Sequence, residues 1–383
     1  MKRPLAVALM GVIAPLGFVL DQSATVLAAA CSPGHCYAVA EWDNTPTNEG
    51  SYVYLDTSCL NGPNNSTDFA DEELWEGTDN STFGAFWVEE GLSYGEINGS
   101  PKGGPFWFWA DNRPNGGGYH EHYVASRSLN TSYLADIGYQ GNNQWFVYSN
   151  VGGTVGTSTS NPPYSKFTET GEEFTNTSYN IYGYSSDLSW YDTSGGNHNG
   201  WDYGGNNSYV WNTGSPAYSW WSTTYVVEGY NANPGNCHAA PTAGPAAAPP
   251  KPSSVPILRS ATPHYSQSPV PPKAMAGIMR LAHDIAARSG STEMQSGAVV
   301  LTTRGQANFV TSGASVNTDD PVYLIELTGQ FEALAARVPA NHTKPTGHYL
   351  TFTVNTATGS IEDWGVSDNW SDLSTLGPQT AVS

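Results

Sequence analysis

The residues able to do chemistry are concentrated in a few aromatic runs. Phe86-Trp87-Val88-Glu89-Glu90-Gly91 sets two acids side by side in an apolar stretch. On a strand, successive side chains alternate faces, so Trp87 and Glu89 share one face and Val88, Glu90 and Leu92 the other. In a sandwich one of the two acids then points inward, and it must be paired or line a cleft, because an unpaired buried carboxylate is costly. On an edge strand both would stand in water. In a second run Trp107, Trp109 and Asp111 share a face. In a third, Tyr119 to Tyr123, His120 and His122 share a face opposite Glu121.

These residue types suit three kinds of chemistry. Two imidazoles from His120-x-His122, completed by Glu89 or Asp111, have the donor types of a metal site, but a His pair alone is a weak signal and no metal or other cofactor is expected. Paired carboxyls do acid–base hydrolysis. Glu89 and Glu90 face opposite ways, so a couple must form between strands, for example Glu89 with Glu121. The aromatic surplus suits sugar contact, because Trp and Tyr stack on sugar faces and Asn and Asp bind hydroxyls. Trp87, Trp107, Trp109, Asp111, Tyr119, His120 and His122 are the ligand-binding candidates. The segment from Trp190 to Trp221 carries more of the same types. No Gly-x-Ser-x-Gly elbow, P-loop or dinucleotide fingerprint occurs.

The elements that must position these residues are read from composition. The chain has 383 residues and a net charge of −20. With 14 basic against 34 acidic residues it has little to offer phosphates, which argues against nucleic acid and anionic membrane. Residues 1–30 read as a signal peptide: Lys2 and Arg3, an apolar run to Leu20, then Ala28-Ala29-Ala30. Four cysteines follow, Cys31, Cys36, Cys59 and Cys237, and an even number in an exported chain predicts two disulfides of open connectivity. Residues 31–238 carry 4 basic and 23 acidic residues and 11 of the 13 Trp, whereas 239–383 carry 8 basic and 10 acidic, so the composition changes near residue 238. Ten prolines between 241 and 272 make 239–272 a linker unable to pack a core.

Short aromatic and β-branched runs between Gly, Asn and Ser clusters predict an all-β region over 31–238. No stretch of it shows a sustained helical period except Thr67 to Gly77, where acids crowd Leu74 and Trp75. About a dozen strands suit a two-sheet sandwich or jelly roll. In 273–383, helical spacing from Lys273 to Ser289 precedes strand-like runs at 298–302, 322–327, 349–354 and 360–364, which predicts one helix on a four-stranded antiparallel sheet. The sheet face away from that helix is expected either to dock on another surface or to be closed by the tail, with Trp364 and Trp370 as plugs.

Two segments carry resemblances. FWVEEGLSYG (86–95) with GPFWFWADNRPNGGGYHEHY (104–123) resembles secreted actinobacterial-type proteins with W-V-E-x-G and F-W-A-D-x-R-P strands, which implies a concanavalin-like jelly roll. The same strand pair is similar to glutamic peptidases, which implies a catalytic place for Glu89; no second catalytic Glu of that family is matched. PVYLIELTGQF (321–331) with LTFTVNTATGSIEDWGVSD (350–368) resembles PepSY-like or cystatin-like small domains, which implies binding to another protein. The chain therefore reads as a secreted glycan-binding or extracellular-polymer-binding protein. The alternative is an acid hydrolase on the same sandwich, peptidase before glycosidase, with Glu89 as general base. Expected partners are an extracellular polysaccharide or protein substrate and a protein partner for the C-terminal domain; no nucleic acid is expected, and no membrane once the leader is cleaved.

Overall fold

A computed structural model describes residues 34–231 apart from 66, 81–83, 151, 202–207, 213–216 and 224–225, and residues 268–382 apart from 292–295, 317 and 341. The expected leader, Cys31, Cys237 and most of the linker lie outside the described residues. Cys36 and Cys59 are both disulfide-bonded. No described helix is long and apolar enough to cross a membrane.

The chain is mainly antiparallel β. In order come β1 (Cys36–Leu55), β2 (Cys59–Asn61), β3 (Phe69–Asn80), β4 (Gly84–Ile97), β5 (Ser100–Arg113), β6 (Gly118–Ser126) and β7 (Tyr133–Gly141). Then follow β8 (Gln144–Ser149), β9 (Gly153–Thr159), β10 (Ser165–Phe174), β11 (Asn180–Asp192), β12 (Asn197–Asn199), β13 (Ser208–Asn212), β14 (Ala217–Thr223) and β15 (Val226–Asn231). The C-terminal half contributes α1 (Pro272–Arg288), β16 (Ser296–Thr303), α2 (Arg304–Ser312), β17 (Ser315–Val316), β18 (Pro321–Glu332), β19 (Thr346–Asn355), β20 (Ile361–Ser367) and β21 (Thr380–Val382).

Two layers form a sandwich. The first runs β13-β1-β10-β3-β4-β5-β6. The second is built on β11-β1-β7-β8-β9. Strand β1 serves both, because its register shifts between Asp43 and Asn48 and again before Ser51. Ala38, Leu74, Val88, Trp107 and Trp109 from the first layer meet Val53, Ile137, Trp145, Val147 and Leu188 from the second, all buried. Alternation along each strand leaves the first layer a second face, pointing away from this core.

That second face is covered by the C-terminal half. Strand β20 pairs with β6, Trp364 lying opposite Glu121, so the first layer continues through β20-β19-β18-β16-β21. Helix α1 begins with Pro272 in its first turn and presents Ile278, Ala282, Ile285 and Ala286 to this continued sheet. Proline fits there because a first-turn N–H has no helical partner to lose. The other face of the C-terminal strands is closed by Ala307 of α2 and by Leu373 and Leu376 of the tail. Trp364 is buried but Trp370 stands 62% exposed, so the tail closes this face through its leucines.

Two expectations are corrected. Thr67 to Gly77 contains no helix; it lies largely in β3, paired with β10 on one side and β4 on the other. Its acids separate by alternation, which a strand permits and a helix would not. The C-terminal half has a second helix, α2, unannounced by the sequence because its buried residues include Arg304, Gln306 and Asn308.

A buried carboxyl face and its peptide strap

Glu89 and Glu90 lie on a central strand and both are fully buried, so the edge-strand alternative does not hold. Glu90 enters the sandwich core. Its Oε1 accepts the Asp136 amide at 2.6 Å and its Oε2 the Trp107 indole N–H at 3.1 Å. Burial pushes its carboxyl well above the usual range. Glu89 points the opposite way, onto the covered face.

That face is lined by carboxyls. One cross-strand row reads Glu169, Trp75, Glu89, Ala110, Glu121, Trp364. A neighbouring row reads Gly171, Glu73, Gly91, Phe108, and the next Glu173, Asp71, Ser93. Asp71, Glu73, Glu89, Glu169 and Glu173 have no exposed surface, and Glu121 has 1%. Small residues make the space. Ala110 separates Glu89 from Glu121, and the Tyr119 hydroxyl bridges them, 3.0 Å from Glu89 Oε1 and 3.1 Å from Glu121 Oε2. A Cβ on Gly91 would lie 2.3 Å from the Glu72 carbonyl oxygen and 2.5 Å from the Glu73 Cβ, so the close approach of β3 requires the glycine of the Trp87-to-Gly91 run.

Electrostatically the face is strained. Burial is the main cause raising every shifted carboxyl on it. Asp71 is pushed up to about 7 although Arg337 opposes the rise, and Glu173 to about 8. Glu73 and Glu89 rise well above the usual range, burial being reinforced by the charges of neighbouring carboxyls. Neither oxygen of Glu73 meets a donor, and Glu89 Oε2, Trp75 Nε1 and Trp87 Nε1 are also buried without a partner. Asp71, Glu73 and Glu173 offer oxygens within 4.8 Å of one another, a donor set for a cation. The cation beside them is Arg337.

Arg337 belongs to an irregular strap, residues 333–345, between β18 and β19. The strap lies on the carboxyl face. Its amides donate at 3.2 Å from Arg337 to the Tyr119 hydroxyl, at 3.1 Å from Val338 to Glu173 Oε2 and at 3.1 Å from Ala340 to Glu169 Oε2. Tyr37 donates to the Val338 carbonyl at 2.7 Å. The Arg337 side chain, with no exposed surface, pairs with Asp71 at 2.7 Å and with Glu121.

The structure divides the residues singled out in the sequence. Trp87, Glu89, Tyr119 and Glu121 meet on the strap face. Trp107, Trp109, Asp111, His120 and His122 lie on the opposite side of the same strands. There Asp111 is bound by Arg113 at 2.6 Å, and burial with Arg113 and His120 beside it leaves its carboxyl well below the usual range, the charges outweighing burial. His122 stacks on Trp109 at 4.0 Å and pairs with Asp363 of β20 at 2.9 Å. Burial lowers His120 to about 4. These groups therefore serve the core and the β6–β20 seam. Of the aromatic segment expected to contact sugars, Trp190 packs edge-on against Trp42, and Tyr191 and Trp201 are buried. The side chains of Trp211, Trp220 and Trp221 lie outside the described residues.

Asp71, Glu73, Glu173 and Arg337 escaped the sequence reading. The alternation of Asp71, Glu73 and Trp75 was the available signal for the first two, and the doublet Glu172-Glu173 repeats the Glu89-Glu90 pattern. Nothing near Arg337 marks it.

No protein-family model matches the chain, and no curated protein matches it. Among solved structures, scytalido-glutamic peptidase with a peptide-based transition-state analogue aligns with a TM-score of 0.35 at 9% identity, covering 53% of this chain and 99% of that one. SCP-B, a member of the eqolisin family of peptidases in complex with the tripeptide Ala-Ile-His, aligns with a TM-score of 0.31 at 10% identity, covering 53% and 99%. At TM-scores this low the likeness carries no argument, and the site is read from its own residues.

Proposed function

We propose that the chain is an acid hydrolase acting on peptide bonds, with the carboxyl face under the strap as its site. The observation that carries this reading is the strap itself: a stretch of polypeptide main chain sits on the face, with the amide of Arg337 at the Tyr119 hydroxyl, 3.2 Å away, and that hydroxyl bound to Glu89. A face that holds peptide main chain against carboxyls with raised affinity for protons has the parts for acid–base hydrolysis. Burial raises both Glu73 and Glu89, reinforced by the charges of Asp71 and Glu89 on the first and of Glu173 and Asp71 on the second, so the face holds a proton where isolated carboxyls would be ionised.

In this reading ionised Glu89 takes a proton from water as the water oxygen attacks the peptide carbonyl carbon. The Tyr119 O–H donates to the oxyanion. Protonated Glu73 gives its proton to the leaving nitrogen as the C–N bond breaks, yielding a carboxylic acid and an amine. Raised carboxyls move the range in which one member is ionised and the other keeps its proton upward from the ordinary carboxyl range.

The test is digestion of a denatured protein across about pH 3–7, using the chain and its Glu89→Gln variant. Loss of the proton-accepting carboxylate at Glu89 lowers turnover by roughly 10²–10⁴-fold. Equal turnover excludes Glu89 as the base. No turnover by the chain, with or without Arg337→Ala to loosen the strap, sinks the reading.

A further inference from the structure

We propose that the pocket around Arg337 is a subsite for an arginine side chain of a peptide ligand, and that residues 336–340 occupy it as a built-in competitor. The proposal rests on the peptide-hydrolase reading and names its substrate class.

The contacts of the strap fall into two kinds. The amides of Arg337, Val338 and Ala340 and the carbonyl of Val338 bind Tyr119, Glu173, Glu169 and Tyr37. Main-chain groups make these bonds, so other peptides can supply them. Pro339, which has no N–H, sits between the two amides that reach glutamates, so its missing donor costs nothing there. The second kind is specific to one side chain. Arg337 Nε donates to Asp71 at 2.7 Å, Nη1 pairs with Glu121, and Nη2 donates to Ser93 Oγ at 2.8 Å and to the Glu96 carbonyl at 3.0 Å. Phe69 and Phe108 cover the guanidinium, their ring centroids 4.3 and 4.2 Å from its central carbon.

Every one of these partners comes from β3, β4, β5 or β6. The first layer thus carries the whole pocket, and the C-terminal half contributes only the occupant. Planar stacking on two rings together with a divided set of acceptors fits a guanidinium and not an ammonium, which has neither a face nor a fork.

The experiment uses the full chain carrying Arg337→Ala, whose pocket has lost its own guanidinium. Labelled acetyl-Ala-Ala-Arg-Val-Pro-Ala-amide is titrated at pH 6 against analogues with Lys or Ala in place of the Arg. Binding of the Arg peptide roughly 30-fold or more tighter than the Ala peptide, with Lys between, is the expected result. Equal binding of the Arg and Ala peptides overturns the proposal. Should Arg337→Ala fail to fold by near-ultraviolet circular dichroism, the wild-type chain decides. Excess Arg peptide then accelerates hydrogen exchange at the Val338 and Ala340 amides and the Ala peptide does not; no acceleration, or the same with both, overturns it. Tight Arg-selective binding without cleavage anywhere across about pH 3–7 counts against the hydrolase alone, whereas cleavage indifferent to arginine counts against the pocket alone.

Discussion

Strands β3 and β4 bury acids on both of their faces, and the two faces are satisfied differently. Inside the sandwich, Glu72 accepts Thr57 Oγ1 at 2.5 Å, Glu76 accepts Thr168 Oγ1 at 2.7 Å, and Glu90 accepts an amide and an indole. All these donors are neutral and belong to the sandwich. On the strap face, Asp71 and Glu121 take Arg337, and Glu173 and Glu169 take strap amides, all from the C-terminal half. One face draws its partners from within the sandwich. The other is complete only when something lies on it. The inner acids are satisfied within the sandwich, whereas the outer ones take partners from the strap.

The comparison is broken most severely by removing the charge the strap brings. Arg337→Ala leaves Asp71 and Glu121 buried without their cation, and deleting one partner of a buried ion pair costs about 3–5 kcal/mol. Urea unfolding at pH 7.5 measures it. At pH 5 the loss shrinks, because Asp71, raised to about 7, then takes a proton and no longer needs the cation. A loss equal at both pH values would mean that packing against Phe69 and Phe108, not charge, is what Arg337 supplies.

Both faces together set a pH dependence. Glu72, Glu76 and Glu173 are raised to about 8 and Asp71 to about 7, burial being the main cause for each. The folded chain therefore binds more protons than the unfolded one between the ordinary carboxyl range near pH 4 and about pH 8. Stability is fully present below that window and falls as pH rises through it. His35, lowered to about 3, and His120, lowered to about 4, work the other way up to about pH 6.5, but they are outnumbered. A melting temperature on the order of 10 °C lower at pH 8.5 than at pH 5 is expected in calorimetry. A chain more stable at pH 8.5 would contradict the account of the buried acids.

How much of this was legible in the sequence follows the same division. Alternation placed Trp87 with Glu89, His120 with His122 and Glu121 opposite, because period two is a local property of any strand. The sandwich and the helix-then-strands order of the C-terminal half were legible from the same local patterns. What the sequence could not carry is which strands become neighbours. Glu73 stands between Gly171 and Gly91, and Glu121 meets Glu89 across Ala110, only because of register set by the whole sheet. Arg337 lies 216 residues from Glu121 and 266 from Asp71, in a stretch with no pattern of its own. The proline-rich composition of 239–272 reads as a linker and carries no sign that β20 pairs with β6.

A milder probe sharpens the inner face. Glu90→Gln keeps the shape and one acceptor oxygen but turns an NH₂ toward either the Asp136 amide or the Trp107 indole. One of two buried donors loses its acceptor, a cost of about 1–2 kcal/mol. The effect is the same at pH 5 and pH 7.5 if Glu90 is already protonated at both, as its burial implies. A cost that grows with pH would show that Glu90 is ionised in the core.

The smallest effect, and the one of opposite sign, belongs to Glu73→Gln. Glu73 has no donor on either oxygen, and its neighbour Asp71 has an unpartnered Oδ1. Burial and the Asp71 charge both raise the Glu73 carboxyl. At pH 8 the native side chain must hold a proton against solution or add a second negative charge to the pocket. Glutamine has the same volume, carries no charge, and can donate its N–H to Asp71 at any pH. Stability at pH 8 is therefore expected to rise by about 0.5–1 kcal/mol, with little change at pH 5, where Glu73 is protonated and already donates. The same substitution removes the proposed proton donor to the leaving nitrogen. A chain that gains stability and loses turnover would mark Glu73 as held on the strap face at a structural cost, for its chemistry. A loss of more than about 1 kcal/mol at pH 8 would show instead that the Glu73 carboxylate has a compensating cation in solution, and would move attention to the three-oxygen cluster it forms with Asp71 and Glu173.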